Sequence, residues 1–300
     1  MAAVLTTAAA GALSACSTST DSSPRASTPD VAANSPDPTT PRAAVTMSQL
    51  SLVDGSRPVV SGGVELATQR DLPTTLWTPA GTGPFPLVVF VNGYDTGPLD
   101  YRRFCSTLAS AGYVVAAPSF PLEDPARGFP LDRTHLSDEA ADVTFVITAI
   151  DQLGIRQVDR SRVAVVGHSD GADVALLTGY GAGSVDPRVG AVVADAPDPM
   201  STTAVTSSVP LLLVQGTSDS VVPYSASQAV FGQVDAPVSY LSLVGADHLP
   251  PIAGGTPWTP VLDAAVSRFL DASVAHRGPG AGSLAAELSG SPLVRFETKG

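Results

Sequence analysis

Lysine is all but missing from this 300-residue chain: Lys299 is the only one. Sixteen basic side chains face 28 acidic ones, for a net charge of -12, and no basic run occurs anywhere. Contacts to phosphate need clustered Lys and Arg, so this composition excludes a nucleic-acid partner. No stretch of 18 apolar residues occurs, and nothing reads as a membrane-spanning helix. Cysteine is limited to Cys16 and Cys105, one pair at most. The 27 Gly and 27 Pro follow no three-residue period, which rules out a collagen-like rod. What is present is apolar: hydrophobic residues make up 44%, enough to build a core and too many for a wholly disordered chain.

The first 15 residues carry no charge and end in Leu13, Ser14 and Ala15, directly before Cys16. Small residues ahead of a Cys, after a short apolar segment, resemble a bacterial lipobox. The resemblance implies a lipoprotein signal peptide over residues 1–15 and lipidation of Cys16. It further implies an exported protein held at the outer face of the cell membrane by acyl chains; an ordinary secretory peptide, which would leave the protein secreted, is the alternative. Residues 16–46 read as a linker: of the 30 residues 17–46, 26 are Ser, Thr, Pro, Asp, Ala or Asn. That composition cannot bury enough apolar surface to offset chain entropy, so it predicts a flexible stalk. With Cys16 acylated, Cys105 has no partner in the chain, and its helical apolar surroundings predict a buried thiol.

From residue 47 the text changes to apolar runs separated by turn signals. Residues 87–91, 113–117, 163–166, 189–194 and 211–214 are Val-rich and lack alternation, which predicts strands buried on both faces of a parallel sheet. Residues 238–244 follow as a further strand. Segments of helical length lie between the runs: 100–111 ahead of Gly112, 137–153, 171–180, 225–234 and 260–274. Within 137–153, Asp138 and Glu139 occupy the first turn, and Val143, Val146, Ile147, Ile150 and Leu153 recur at helical spacing. The class is therefore α/β, a mostly parallel central sheet flanked by helices. Residues 58–78 read as an antiparallel edge. The folded domain is expected over residues 47–275, with 276–300 as a C-terminal tail.

The decisive string runs from Val163 through Gly167, His168, Ser169, Asp170 and Gly171 to Leu177. It is Gly-x-Ser-x-Gly between a buried strand and a helix. The turn from strand to helix is sharp, and a side chain at either glycine would collide with neighbouring backbone. The turn lifts Ser169 to the N-terminus of the following helix, whose dipole favours developing negative charge.

On these residues the chain resembles the α/β-hydrolases, from about residue 58 to about 275. The resemblance implies a serine nucleophile, an acid and a histidine in that order, the last two on loops after later strands. Asp219 follows the strand 211–214, and His248 follows the strand 238–244. They match the family positions for acid and base, beside Ser169 as nucleophile. Asp195, at the end of the preceding strand, stands as the rival acid. Of the remaining histidines, His168 is pinned inside the elbow and reads as packing, His135 lies in a loop, and His276 lies near the tail. The resemblance also implies an oxyanion hole made by the backbone N–H of Asp170 and that of Tyr94, where Gly93 permits a tight backbone and Asn92 replaces the more usual His. The register of this loop is open by one residue.

The connection between Ala196 and Pro210 is too short for a large cap domain, which predicts an open cleft. The Tyr94 side chain reads as one wall. Trp258 reads either as another wall or as core packing. Phe85 to Tyr94, with Gly245 to His248, is most similar to the dienelactone-hydrolase, chlorophyllase, cutinase and polyester-hydrolase relatives. The implied activity is carboxylic-ester hydrolysis through an acyl-enzyme on a lipid-like or bulky ester, with no cofactor and no metal. An acyltransferase on the same triad and a non-catalytic surface protein are the alternatives. A monomer is expected. If the lipobox reading holds, Cys16→Ser releases the protein from the membrane fraction with kcat unchanged. Continued membrane association of that variant contradicts it.

Overall fold

The Val-rich runs lack alternation because helices cover both faces of the sheet. The computed structural model describes residues 43–198, 207–235, 237–278, 281–288 and 290–300. Cys16 and nearly all of the linker lie outside the described residues. The chain runs through β1 (Val45–Asp54), β2 (Val59–Ser61), β3 (Val64–Ala67), β4 (Arg70–Pro79) and β5 (Phe85–Val91). It continues with α1 (Arg102–Ser110), β6 (Val114–Pro118), α2 (Leu136–Leu153), β7 (Val158–His168) and α3 (Asp170–Tyr180). Then come β8 (Val189–Asp195), β9 (Leu211–Gly216), α4 (Tyr224–Gln233) and β10 (Val238–Leu243). The last elements are α5 (Pro250–Ala253), α6 (Thr259–Ser273), α7 (Ala281–Leu288) and β11 (Val294–Lys299).

Nine strands form one sheet in the order β1-β4-β6-β5-β7-β8-β9-β10-β11. The six from β6 to β10 in that order are mutually parallel. Their residues divide between two cores. Leu87, Val89 and Val91 of β5 join Val163 and Val165 of β7 in a core shared with α2, α3 and α4. Val88, Phe90, Ala164 and Val166 point the other way, toward α1 and α6. Each large apolar side chain buried in this way contributes roughly 1.5–3 kcal/mol. In α2 the stripe Val143, Val146, Ile147 and Ile150 is buried, whereas Leu153, counted with it from spacing, is exposed at the helix end before Gly154. Cys105 is buried in the α1 core as a free thiol, and burial pushes its pKa up.

The edges differ from the sequence reading. Residues 58–78 do not make the edge as a unit. Gly62 and Gly63, both at positive φ (57° and 78°), turn β2 back on β3 as a separate two-stranded hairpin. The edge strand is β1, antiparallel to β4 from Val45↔Pro79 to Asp54↔Arg70. Nor does the sheet stop before residue 276: β11 pairs antiparallel with β10, from Val238↔Lys299 to Leu243↔Val294, and covers what would be an open edge. Among the described residues no helix is long and apolar enough to cross a membrane.

Because β5, β7, β8, β9 and β10 are parallel, their C-terminal ends share one edge, where open α/β sheets place ligand sites. Beside that edge lies a cluster of acids. Asp142 is buried and accepts two hydrogen bonds from Arg70 (2.7 and 2.6 Å) and one from Arg57 (2.5 Å). Both carboxylate oxygens of Glu123 and of Glu139 are buried without a hydrogen-bond partner among the described residues. Burial raises both pKa values. Burial, with the charges of Asp170 and Asp198, raises Asp173 from 3.8 to about 8. An acid whose folded pKa lies above its unfolded one keeps a proton that the unfolded chain releases, so stability falls as pH rises through that window. The buried His168, held down at about 3, changes the balance only below about 6.5. Between pH 6.5 and 8.5 the acids therefore dominate, and Tm is expected to fall. Asp173→Asn should raise Tm at pH 8 by at least about 2 °C, the shift expected of roughly 1 kcal/mol in a domain of this size. A variant whose Tm declines as steeply as that of the wild type would contradict the assignment.

Candidate active site

The turn at the end of β7 is as tight as the glycine spacing implies. A Cβ on Gly167 would lie 1.9 Å from the Gly171 carbonyl oxygen, and one on Gly171 would lie 2.3 Å from that of Val91. Between them Ser169 adopts φ 57°, ψ -128°, a region that side-chain-bearing residues rarely occupy. Its N–H is held by the Asp195 carbonyl at 2.9 Å, and its own carbonyl accepts the N–H of Ala172 at 2.7 Å. The hydroxyl of Ser169 makes no hydrogen bond among the described residues.

The loop after β5 lies directly against this turn. A Cβ on Gly93 would meet Ser169 Cβ at 2.9 Å and the His168 carbonyl oxygen at 3.1 Å. Asn92, the departure from the usual His, is buried, and its amide donates to the carbonyls of Thr96 (2.8 Å) and Gly93 (3.1 Å). It thus closes the loop that carries Tyr94. The N–H groups of Tyr94 and Asp170 have no acceptor among the described residues. That of Asp170 is free because it opens α3, where helix geometry supplies no partner. The Tyr94 side chain is exposed.

Asp219 and His248 meet at the same edge. His248 Nδ1 lies 2.8 Å from Asp219 Oδ2. The other Asp219 oxygen accepts the N–H groups of Val221 (2.9 Å) and Val222 (2.8 Å). The side chain of Asp219 is fully buried, and that of His248 is 11% exposed. The two loops are joined closely. A Cβ on Gly216 would lie 2.4 Å from the Ala246 carbonyl oxygen, and Asp247 Oδ1 accepts the N–H of both Ser220 and His248 at 2.8 Å. Asp195 is brought to the same edge, but its carboxyl makes no hydrogen bond to His248. It is buried, and burial together with the Asp219 charge holds its pKa well above the usual carboxylate range. Trp258 donates its indole N–H to the Val244 carbonyl at 3.0 Å and packs on the α1–α6 core, beneath the loop that bears His248.

Three contributors escaped the sequence reading. Gln215 donates to Asp219 Oδ2 at 2.7 Å. Arg133, on a short 3-10 turn after β6, grips the Asp170 carboxylate at 3.1 and 2.7 Å, opposing the upward push of burial on that acid. Tyr101 bonds to His168 at 2.9 Å. Only Gln215 had a local signal, its place ahead of a glycine at a strand end. Among the described residues no His, Cys, Asp and Glu group is arranged to hold a metal ion.

A model of the family described as Chlorophyllase matches residues 53–233, more than half of the chain. The chain belongs to the chlorophyllase family. With the nine-stranded sheet, this makes it an α/β-hydrolase of the serine-esterase type. Ser169 and Asp219 fall inside the matched residues, and His248 lies past their end. Chlorophyllase-1, chloroplastic, of Citrus sinensis is 28% identical over 182 residues, 59% of this chain and 51% of that protein. The Citrus unshiu protein of the same name matches to the same extent. The chain thus spans about half the length of the curated relatives it matches. The close approach of the two family loops can be tested without any substrate. Gly216→Ala forces the Ala246 carbonyl aside, an overpacking cost of roughly 1–3 kcal/mol. Tm should drop by at least about 2 °C. A change under about 1 °C would contradict the contact.

Proposed function

We propose that the chain hydrolyses carboxylic esters with a large apolar part, through an acyl-enzyme on Ser169. The reading rests on one observation above all. The Asp219–His248 pair and the strained Ser169 stand at the same edge of the sheet.

In this reading His248 Nε2 takes the hydroxyl proton as Ser169 Oγ attacks the ester carbonyl carbon. The N–H groups of Tyr94 and Asp170 receive the oxyanion. Losing one such donor typically costs roughly 2.7–4 kcal/mol of transition-state stabilisation. Collapse breaks the C–O bond to the alcohol, which leaves with the proton from His248. Water then attacks the acyl carbon with His248 again as base, releasing the acid and restoring Ser169. Asp219 holds the proton on Nδ1 and stabilises the imidazolium. Asp219 is favoured over Asp195 because it carries the hydrogen bond to the imidazole and is itself held as an acceptor by two backbone N–H groups.

The apolar substrate is supported by the rim. Tyr94 and Leu99 on the Gly93 loop, Val221 on the acid loop and Leu249 beside His248 are all exposed large apolar side chains. Single exposed apolar residues are ordinary, but four on the loops of one site are the pattern of a binding surface. Trp258 supports the His248 loop from below, and Tyr94 serves as a wall. A lipid anchor at Cys16 would keep the protein at a membrane surface, where apolar substrates are found.

The test uses p-nitrophenyl esters of increasing chain length. Ser169→Ala should lose several powers of ten in activity with the fold intact. Asp219→Asn should lose about 10⁴ in kcat, and Asp195→Asn less than about tenfold, roughly 1.4 kcal/mol. The opposite ranking of the two acids would move the acid to β8. Activity of Ser169→Ala above about a hundredth of wild type would remove the nucleophile.

A further inference from the structure

His168 fills a position that the Gly-x-Ser-x-Gly spacing leaves free, yet its ring is buried and fully bonded. Its Nδ1 lies 2.9 Å from the Tyr101 hydroxyl, and its Nε2 lies 3.2 Å from the carbonyl oxygen of His248. Tyr101 Oη in turn accepts the N–H of Gly93 at 3.3 Å. The imidazole rings of His168 and His248 are 4.6 Å apart between centroids, tilted by 46°. The Tyr101 ring is braced by Phe90, with centroids 4.8 Å apart.

Donor and acceptor chemistry allows one arrangement of protons along this chain. A carbonyl oxygen can only accept, so His168 Nε2 carries the proton. In a neutral ring Nδ1 is then the acceptor, and the Tyr101 hydroxyl donates to it. That hydroxyl keeps a lone pair for the Gly93 N–H. The line of bonds therefore starts in the loop beside Tyr94, passes through Tyr101 and His168, and ends on the backbone of His248. It spans two loops that share no other hydrogen bond among the described residues.

We infer that Tyr101 and His168 are positioning residues that fix the Gly93–Tyr94 loop and the backbone of His248 relative to one another, with His168 held as its neutral Nε2–H tautomer. The inference rests on the hydrolase reading for its kinetic consequence, but its structural content stands apart from it. A cation at position 168 would face the imidazolium that His248 becomes in turnover, and burial works against one, holding the His168 pKa at about 3. A Phe at 101 keeps the ring packing but removes the bonds to Gly93 and His168. A Leu at 168 removes both bonds to that side chain. A Gln at 168 can donate to the His248 carbonyl and accept from Tyr101.

Two measurements test this. In the first, the imidazole nitrogens of the intact protein are followed by ¹H–¹⁵N NMR from pH 5 to 9, with His168 assigned through His168→Gln. A single Nε2–H tautomer that does not titrate is expected, and Tyr101→Phe should disturb it. An Nδ1–H tautomer, or a titration in that range, overturns the inference whether or not the protein hydrolyses esters. In the second, kcat and KM for p-nitrophenyl butyrate are measured per active site, counted by the p-nitrophenol burst. Tyr101→Phe and His168→Leu should lower kcat by 10- to 100-fold with KM within twofold, and His168→Gln should return kcat to within about fivefold of wild type. A residue that merely stabilised the fold would change the number of active sites and leave kcat per site alone, so kcat within twofold of wild type in both Tyr101→Phe and His168→Leu overturns the positioning role. Absence of turnover in the wild type would instead count against the hydrolase reading, and the tautomer result would still decide the inference.

Discussion

Between β7 and α3 the chain reverses over a single residue. Ser169 sits at φ 57° because the strand end and the helix start cross so closely that Gly171 O would overlap any Cβ on Gly167. Holding a residue with a side chain in such a conformation costs on the order of 1–3 kcal/mol, and it persists only where the surroundings over-determine it. Here they do. The Asp195 carbonyl fixes the Ser169 N–H, the packed β5 backbone bears on Gly171, and the two glycines admit the crossing. The crossing has two chemical results. It places the serine at the strand ends, and it leaves the first N–H of α3 without a partner among the described residues at the same place.

The rest of the site is assembled around that point by loops held through backbone contacts. Gly93 brings the β5 loop against Ser169, and Gly216 brings the acid loop against Ala246. Asp247 then ties Ser220 to His248, so the loops that carry Asp219 and His248 are fixed relative to one another. Preorganisation of this kind matters because donors already aimed at a developing charge need no reorganisation during reaction. The acidic cluster beside the site has the opposite character. Burial raises the pKa values of Glu123, Glu139 and Asp173, so the fold is expected to lose stability as pH rises.

Much of this was legible in the sequence where the signal is local. The elbow could be read because two glycines, a Val-rich strand and a helix all fall within fifteen residues. The parallel strands were visible because burial on both faces removes polar residues from the run. Asp219 and His248 were singled out by a family resemblance and strand-end placement, and the structure brings their side chains within 2.8 Å of one another. What was not legible is long-range. Tyr101 and His168 are 67 residues apart, and Arg133 and Asp170 are 37 apart, with no spacing rule to join them. The edges also escaped. β11 has a single buried residue, Val294, and follows a Gly-rich stretch, so it reads as tail until its pairing with β10 is seen. The hairpin of β2 and β3 interrupts what looked like one edge segment, because Gly62 and Gly63 turn the chain after only three residues.

The central claim is that the strained serine is the covalent nucleophile of an ester-cleaving site. A p-nitrophenyl alkylphosphonate probes it directly, because phosphonylation requires the same attack and the same oxyanion donors but stops at a stable adduct. The intact protein, treated and then mapped by peptide mass spectrometry, should carry one alkylphosphonyl group, on Ser169, with release of one equivalent of p-nitrophenol. Failure to react, or an adduct on any other residue, would contradict the account.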